Sequence, residues 1–113
     1  MRRVVSIRDF PLEAKRLAQT GQTDFVPKKK NLDGMAQVAM LPKDIWDIVM
    51  VLAPEHLYAG PLADDQGRAG EIWVFNASGP AGCELYLKLK IRQSSMGKCL
   101  VCLSCHPPDF PME

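Results

Sequence analysis

From Cys83 to Arg92 the chain alternates without a break: Cys83, Leu85, Leu87, Leu89 and Ile91 are apolar, while Glu84, Tyr86, Lys88, Lys90 and Arg92 are polar or charged. Successive side chains of a strand point to opposite faces, so this pattern belongs to a strand with one buried and one wet face. Such a strand needs neighbours, and an antiparallel sheet with one side under helices supplies them. The flanking segments read accordingly. Residues 71–76 (Glu-Ile-Trp-Val-Phe-Asn) predict a first strand, 77–82 a turn, 93–97 a second turn, and 98–106 a third strand stopped by Pro107 and Pro108.

Before residue 54 the period is helical. Residues 10–20 predict a first helix with Asp9 as N-cap, Pro11 in the first turn, an apolar stripe of Phe10, Ala14, Leu17 and Ala18, and Gly21 as terminator. A polar link over 22–30 holds Pro27 and the run Lys28, Lys29, Lys30. Leu32, Met35, Ala36 and Ala39 predict a second helix over 32–40. Ile45, Ile48, Val49 and Leu52 predict a third after Pro42, with Lys43, Asp44 and Asp47 on another face and Trp46 and Met50 widening the apolar side. Residues 54–70, rich in Gly and Pro, read as a loop. Helices followed by a β-meander predict an α+β fold, N-terminal helices packed on an antiparallel β-sheet. The length predicts a single domain over residues 1–113, with a helical part at about 8–53 and a sheet part at about 71–106.

Composition excludes little: 47% hydrophobic and 24% charged residues suit an ordinary globular protein rather than a disordered one. No stretch has the length of a signal peptide's apolar region or the ~20 apolar residues of a membrane span, so a cytoplasmic protein without a membrane partner is expected. Thiols stay reduced there, and the four cysteines do not argue for disulfides. The net charge of +1 hides local clusters at Arg2, Arg3 and Arg8, at residues 28–30, and at Lys88, Lys90 and Arg92, with Asp64, Asp65, Asp109 and Glu113 elsewhere. A lysine run is usually solvated surface.

Three cysteines and a histidine crowd the last strand. Cys99, Cys102, Cys105 and His106 form Cys-x-x-Cys-x-x-Cys-His, which contains the c-type haem attachment pattern and suits zinc or an iron–sulfur cluster. Metal-binding pairs usually sit on tight turns, whereas the spacers here are Leu-Val and Leu-Ser. Those are strand residues, and a missing export signal counts against haem c, so no cofactor is expected. A regular strand would place Leu100, Cys102, Ser104 and His106 on one face and Cys99, Val101, Leu103 and Cys105 on the other, separating Cys102 from Cys105.

If Val101 and Leu103 share the buried face with Leu89 and Ile91, then Cys102, Ser104 and His106 are wet. A symmetric turn pairs Lys90 with Leu100, Lys88 with Cys102, Tyr86 with Ser104 and Glu84 with His106, and a two-residue slip keeps the face. Glu84, Tyr86, Lys88, Arg92 and His106 on one face are what RNA cleavage without metal needs. A base takes the 2′-hydroxyl proton, an acid protonates the leaving oxygen, and cations offset the phosphate's added charge. Imidazole serves as either acid or base near neutral pH. Two other readings remain: a metal or haem protein built on the cysteines, and a non-catalytic module that binds RNA or protein through a solvated charged face.

The segment from Asp64 to Gly70 followed by Ile72-Trp-Val-Phe75, then Glu84-Leu-Tyr-Leu-Lys-Leu89 and Cys102-Leu-Ser-Cys-His-Pro-Pro108, resembles the MqsR (motility quorum-sensing regulator) family of toxins from type II toxin–antitoxin systems, over about residues 8–110. The resemblance implies a RelE-like ribonuclease fold, cleavage of mRNA with inhibition of translation and growth, and neutralisation by a cognate antitoxin, as a homo-oligomer or a toxin–antitoxin hetero-oligomer. It makes Tyr86 the family's strand tyrosine, implicated in catalysis, and Lys88 the lysine two residues on. His106 falls where members carry histidine or lysine. With Glu84 these form the expected catalytic set, and Lys90 and Arg92 line the RNA path. The chain departs from the family at Ala59, where some members place lysine after the tyrosine that Tyr58 resembles, and at Val74, where glutamine follows the tryptophan. His56 and Arg68 are candidate substitutes on the RNA-binding side.

Overall fold

Helix α1 (Asp9–Gln19) buries Phe10, Pro11, Ala14 and Leu17. Its end is set by Gly21, whose φ of +74° lets Gln22 N–H reach back to the Leu17 carbonyl at 3.0 Å. The structure, a computed structural model, describes residues 9–64, 66–68 and 70–112; Arg2, Arg3, Arg8, Asp65 and Glu113 lie outside the described residues. After Gly21 the chain enters strand β1 (Thr23–Phe25), then helices α2 (Lys29–Gln37) and α3 (Asp44–Met50). A 3₁₀ turn at Pro54–His56 leads into β2 (Leu57–Ala63), followed by β3 (Glu71–Ser78), a second turn at Pro80–Gly82, β4 (Glu84–Ser94) and β5 (Gly97–His106).

The described residues thus form an α+β fold of three α-helices and a five-stranded sheet in the order β1-β5-β4-β3-β2. The expected purely antiparallel sheet is corrected to a mixed one, because β1 pairs in parallel with β5. The expected boundary between a helical and a sheet part also fails: β1 lies among the helices, and β2 occupies the expected loop. β2 is an edge strand, and its Pro61 falls in an irregular stretch between Ala59 and Leu62 that has no ladder pair. Helix α2 begins and ends three residues before its expected bounds, since Ala39 takes a left-handed conformation (φ 57°) and the chain turns Met40 into the core.

One hydrophobic cluster joins the helices to one face of the sheet. Phe10 stacks on Trp73 with ring centroids 4.7 Å apart, and Leu85, Leu87, Leu89 and Leu100 are fully buried. Each such leucine contributes about 2 kcal/mol relative to exposure. Among the described residues no helix is long and apolar enough to cross a membrane.

Register decides what the other face displays. From the turn the ladder runs Ser94↔Gly97, Arg92↔Cys99, Lys90↔Val101 and Leu89↔Cys102, then shifts to Lys88↔Ser104 and Tyr86↔His106. Leu103 is therefore an extra residue, a β-bulge. The symmetric pairing expected from sequence is off by one residue before the bulge and by two beyond it. Leu100 and Cys102, expected on the wet face, belong to the core cluster, and Val101 sits opposite them beside Lys90. Beyond the bulge Cys105 faces the core while Ser104 and His106 keep their expected side, but they are buried there, at 4% and 7% exposure, rather than wet, because helix α2 and the C-terminal tail cover that end of the strand. Cys102 and Cys105 consequently share one face instead of being separated.

Candidate active site

Strand β4 carries Tyr86 and Lys88 on the face opposite the hydrophobic core, and the bulged end of β5 sets His106 and Ser104 directly across from them. The Tyr86 and His106 rings stack, with centroids 5.4 Å apart and planes at 15°. His106 Nδ1 lies 2.8 Å from the Pro107 carbonyl oxygen. A carbonyl only accepts, so Nδ1 carries a hydrogen, and the ring's other nitrogen, Nε2, is the one left for chemistry.

What holds His106 there is helix α2. A β-carbon on Gly34 would stand 2.5 Å from the His106 β-carbon, so the helix approaches this closely only as glycine. Asn31, completely buried, finishes the attachment. Its Nδ2 donates to the Val26 and Leu103 carbonyls at 2.9 and 3.1 Å, and its Oδ1 accepts from the Cys105 N–H at 3.0 Å. The last β1-side backbone bond is Val26 N–H to the Cys102 carbonyl, and beyond it Asn31 stands in for the departed strand.

A cleft of about 390 Å³ opens over these residues, lined by Lys28, Lys30, Tyr58, Tyr86, Lys88, Ser104 and His106, with Pro108, Asp109, Phe110, Pro111 and Met112 of the C-terminal tail as one wall. Lys28 Nζ donates to Ser104 Oγ at 3.1 Å. Lys30 pairs with Asp109 and holds that carboxyl below its ordinary range. Lys28, Lys30 and Asn31 were not legible as site residues. Their only local signal is a lysine run after Pro27, the usual mark of solvated surface.

The remaining candidates disperse. Glu84 pairs with Ser78 rather than His106, does not line the cleft, and accepts a hydrogen bond from the Met112 N–H at 3.2 Å. Lys90 is on the right face but buried in an ion pair with Asp64 at 2.7 Å. That lysine, then the Gln66 N–H, holds the Asp64 carboxyl below its usual value. Arg92, at the far end of the strand, pairs with Asp24 at 3.3 Å. His56 Nδ1 accepts from the Ala53 N–H at 2.9 Å and so closes the first 3₁₀ turn. Arg68 lines a different concavity with Asp64 and Glu71. Val74 is buried opposite Lys88, and Ala59 pairs with Val74, so neither position presents a polar group.

The Cys-x-x-Cys-x-x-Cys-His string does not converge. Cys102 and Cys105 are in the core, His106 is on the opposite face with Tyr86, and Cys99 Sγ is 3.8 Å from Arg92 Nη2. Among the described residues no group of three or more His, Cys, Asp or Glu is arranged to hold a metal ion. Burial, reinforced by the neighbouring Cys105, pushes the Cys102 thiol well up; burial, then Cys83, pushes Cys105 up to about 12. Both stay protonated and pack as small apolar groups.

No protein-family model, no curated protein and no solved structure matches this chain.

Proposed function

We propose that the protein is a metal-independent endoribonuclease with a RelE-like arrangement, the toxin of a type II toxin–antitoxin pair acting on mRNA in the cytoplasm. The observation that carries this reading is the stacked Tyr86–His106 pair, with His106 Nδ1 bonded to the Pro107 carbonyl and Lys88 lining the same cleft. His106 Nε2 accepts the 2′-hydroxyl proton of the substrate, and the 2′-oxygen attacks phosphorus. The bond to the 5′-oxygen breaks as the Tyr86 hydroxyl supplies its proton, and Lys88 faces the added phosphate charge. The products are a 2′,3′-cyclic phosphate and a 5′-hydroxyl. The imidazolium then returns a proton to the phenolate, which resets the site.

The protein's own side chains thus offer base, acid and cation without an added group. Glu84, Lys90, Arg92 and His56 are bonded elsewhere and Arg68 lines a different concavity, so they contribute to the surroundings rather than to bond breaking. Purified protein is expected to cut single-stranded RNA in EDTA and leave cyclic phosphate ends. His106→Ala and Tyr86→Phe should each lose at least about 100-fold in rate, the low end for a general acid or base, while melting like the parent. Full activity in both variants refutes the assignment. RNA bound but left intact indicates a binding module instead. Expression is expected to arrest bacterial growth, with rescue by the neighbouring gene.

A further inference from the structure

Charge is unevenly matched around the cleft. Lys30 is paired with Asp109, and on the same sheet face Lys90 is paired with Asp64 and Arg92 with Asp24. Lys28 and Lys88 have no ion-pair partner among the described residues. Both line the cleft together with Ser104. Lys88 is directly across the ladder from Ser104, and Lys28 Nζ donates to Ser104 Oγ at 3.1 Å from a position 76 residues away in sequence.

The fold of α2 does not ask for Lys28. It is the N-cap residue, its side chain makes no capping bond, and no acidic residue occupies the helix's first turn. Positive charge there opposes the helix dipole, so a lysine at this position works against the helix it begins. Local rules are broken where a site requires it. Ser104, only 4% exposed, fixes the ammonium at the level of Lys88, two residue pairs along the ladder from the stacked rings and on the same face.

We propose that Lys28 is a further catalytic residue, whose ammonium contacts a non-bridging oxygen of the scissile phosphodiester while Lys88 contacts the phosphate from the β4 side. Ser104 is a positioning residue for it. The inference rests on the ribonuclease reading and specifies the ligand as the phosphodiester of single-stranded RNA. The phosphate carries one negative charge in the bound substrate and approaches two as the 2′-oxygen adds. A cation placed at this oxygen therefore binds the transition state more strongly than the ground state.

Two measurements test this on the intact protein. The first is cleavage of a short RNA by Lys28→Ala, Lys28→Arg and Ser104→Ala, with Lys43→Ala, an exposed lysine outside the cleft, as control. Lys28→Ala should lower kcat about 100-fold, the size of one lost charge-stabilising contact, with a much smaller change in KM. Lys28→Arg should recover part of that loss, and Lys43→Ala should match the parent. The second is binding of an all-2′-deoxy oligonucleotide, which cannot be cut, across a salt series. Loss of one phosphate contact should flatten the logarithmic salt slope by about 0.7 in Lys28→Ala and leave it unchanged in Lys43→Ala. An unchanged slope in Lys28→Ala overturns the inference whether or not the parent cleaves RNA. A parent that cuts no RNA refutes the ribonuclease reading, and the salt slope alone then decides whether Lys28 contacts phosphate. Equal kcat in Lys28→Ala and an active parent overturns the catalytic role.

Discussion

Replacing Asn31 by alanine removes three hydrogen bonds at once. The Val26 and Leu103 carbonyls and the Cys105 N–H each lose their side-chain partner at a residue with no solvent exposure. A buried backbone group left unmatched costs about 1–3 kcal/mol. The low end for three groups gives a destabilisation of about 3 kcal/mol, or about 12 °C in Tm at roughly 4 °C per kcal/mol for a domain of this size. Asn31→Asp keeps the acceptor for Cys105 but points oxygen at two carbonyl oxygens and buries a charge, so it should be at least as unstable. Urea unfolding followed by circular dichroism measures the loss. Amide exchange locates it: the Cys105 N–H should lose protection, while the Leu100 N–H, bonded to the Gln22 carbonyl at 2.9 Å, keeps it. RNA cleavage should fall as well, since Ser104 and His106 flank the released amide. A loss below about 1 kcal/mol, the worth of a single ordinary hydrogen bond, or undiminished protection at Cys105, would refute the view that Asn31 replaces a strand.

Gly34→Ala in a helix ordinarily gains about 1 kcal/mol; here the new β-carbon meets the His106 β-carbon at 2.5 Å, so the sign should reverse to a loss of about 1–3 kcal/mol, and a higher Tm would contradict the close approach. Asp64→Asn leaves the Lys90 ammonium buried without its carboxylate and should lower Tm at neutral pH. Because the folded-state Asp64 carboxyl titrates below its ordinary value, the pair's contribution is complete above about pH 4. It fades as pH falls through the folded-state value, so the gap between parent and variant should narrow on acidification; a gap constant down to pH 2 would contradict this. With a thiol reagent, Cys83 and Cys99 should react in the native protein and Cys102 and Cys105 only after unfolding, whereas rapid native reaction of all the thiols would contradict the packed positions.

The strand from Glu84 onward was legible because a two-residue period leaves one arrangement that buries Leu85, Leu87 and Leu89 together, and that arrangement brings Tyr86 and Lys88 to the other face. The helical stretches were legible for the same reason at their own period, within a few residues at their ends. Strands β1 and β2 were not. One has three residues in a polar link and the other contains Gly60 and Pro61, and both are strands through pairing with β5 and β3 rather than through their own sequence. Val101, Cys102 and Leu103 are equally able to face a core, so nothing local says which of them is the extra residue. The inserted residue follows from Asn31 holding the Leu103 carbonyl and the Cys105 N–H.

By itself, then, the chain's periodicity determined an α+β domain and the set of polar groups on the β4 face, since burial of alternate side chains is a local constraint. Only the tertiary structure decided that His106 stacks on Tyr86, that Lys90 is tied to Asp64, and that Lys28 reaches Ser104. Each of those depends on a bulge, a loop or a helix start brought together across a long stretch of chain, and contacts of that kind leave no period in the sequence.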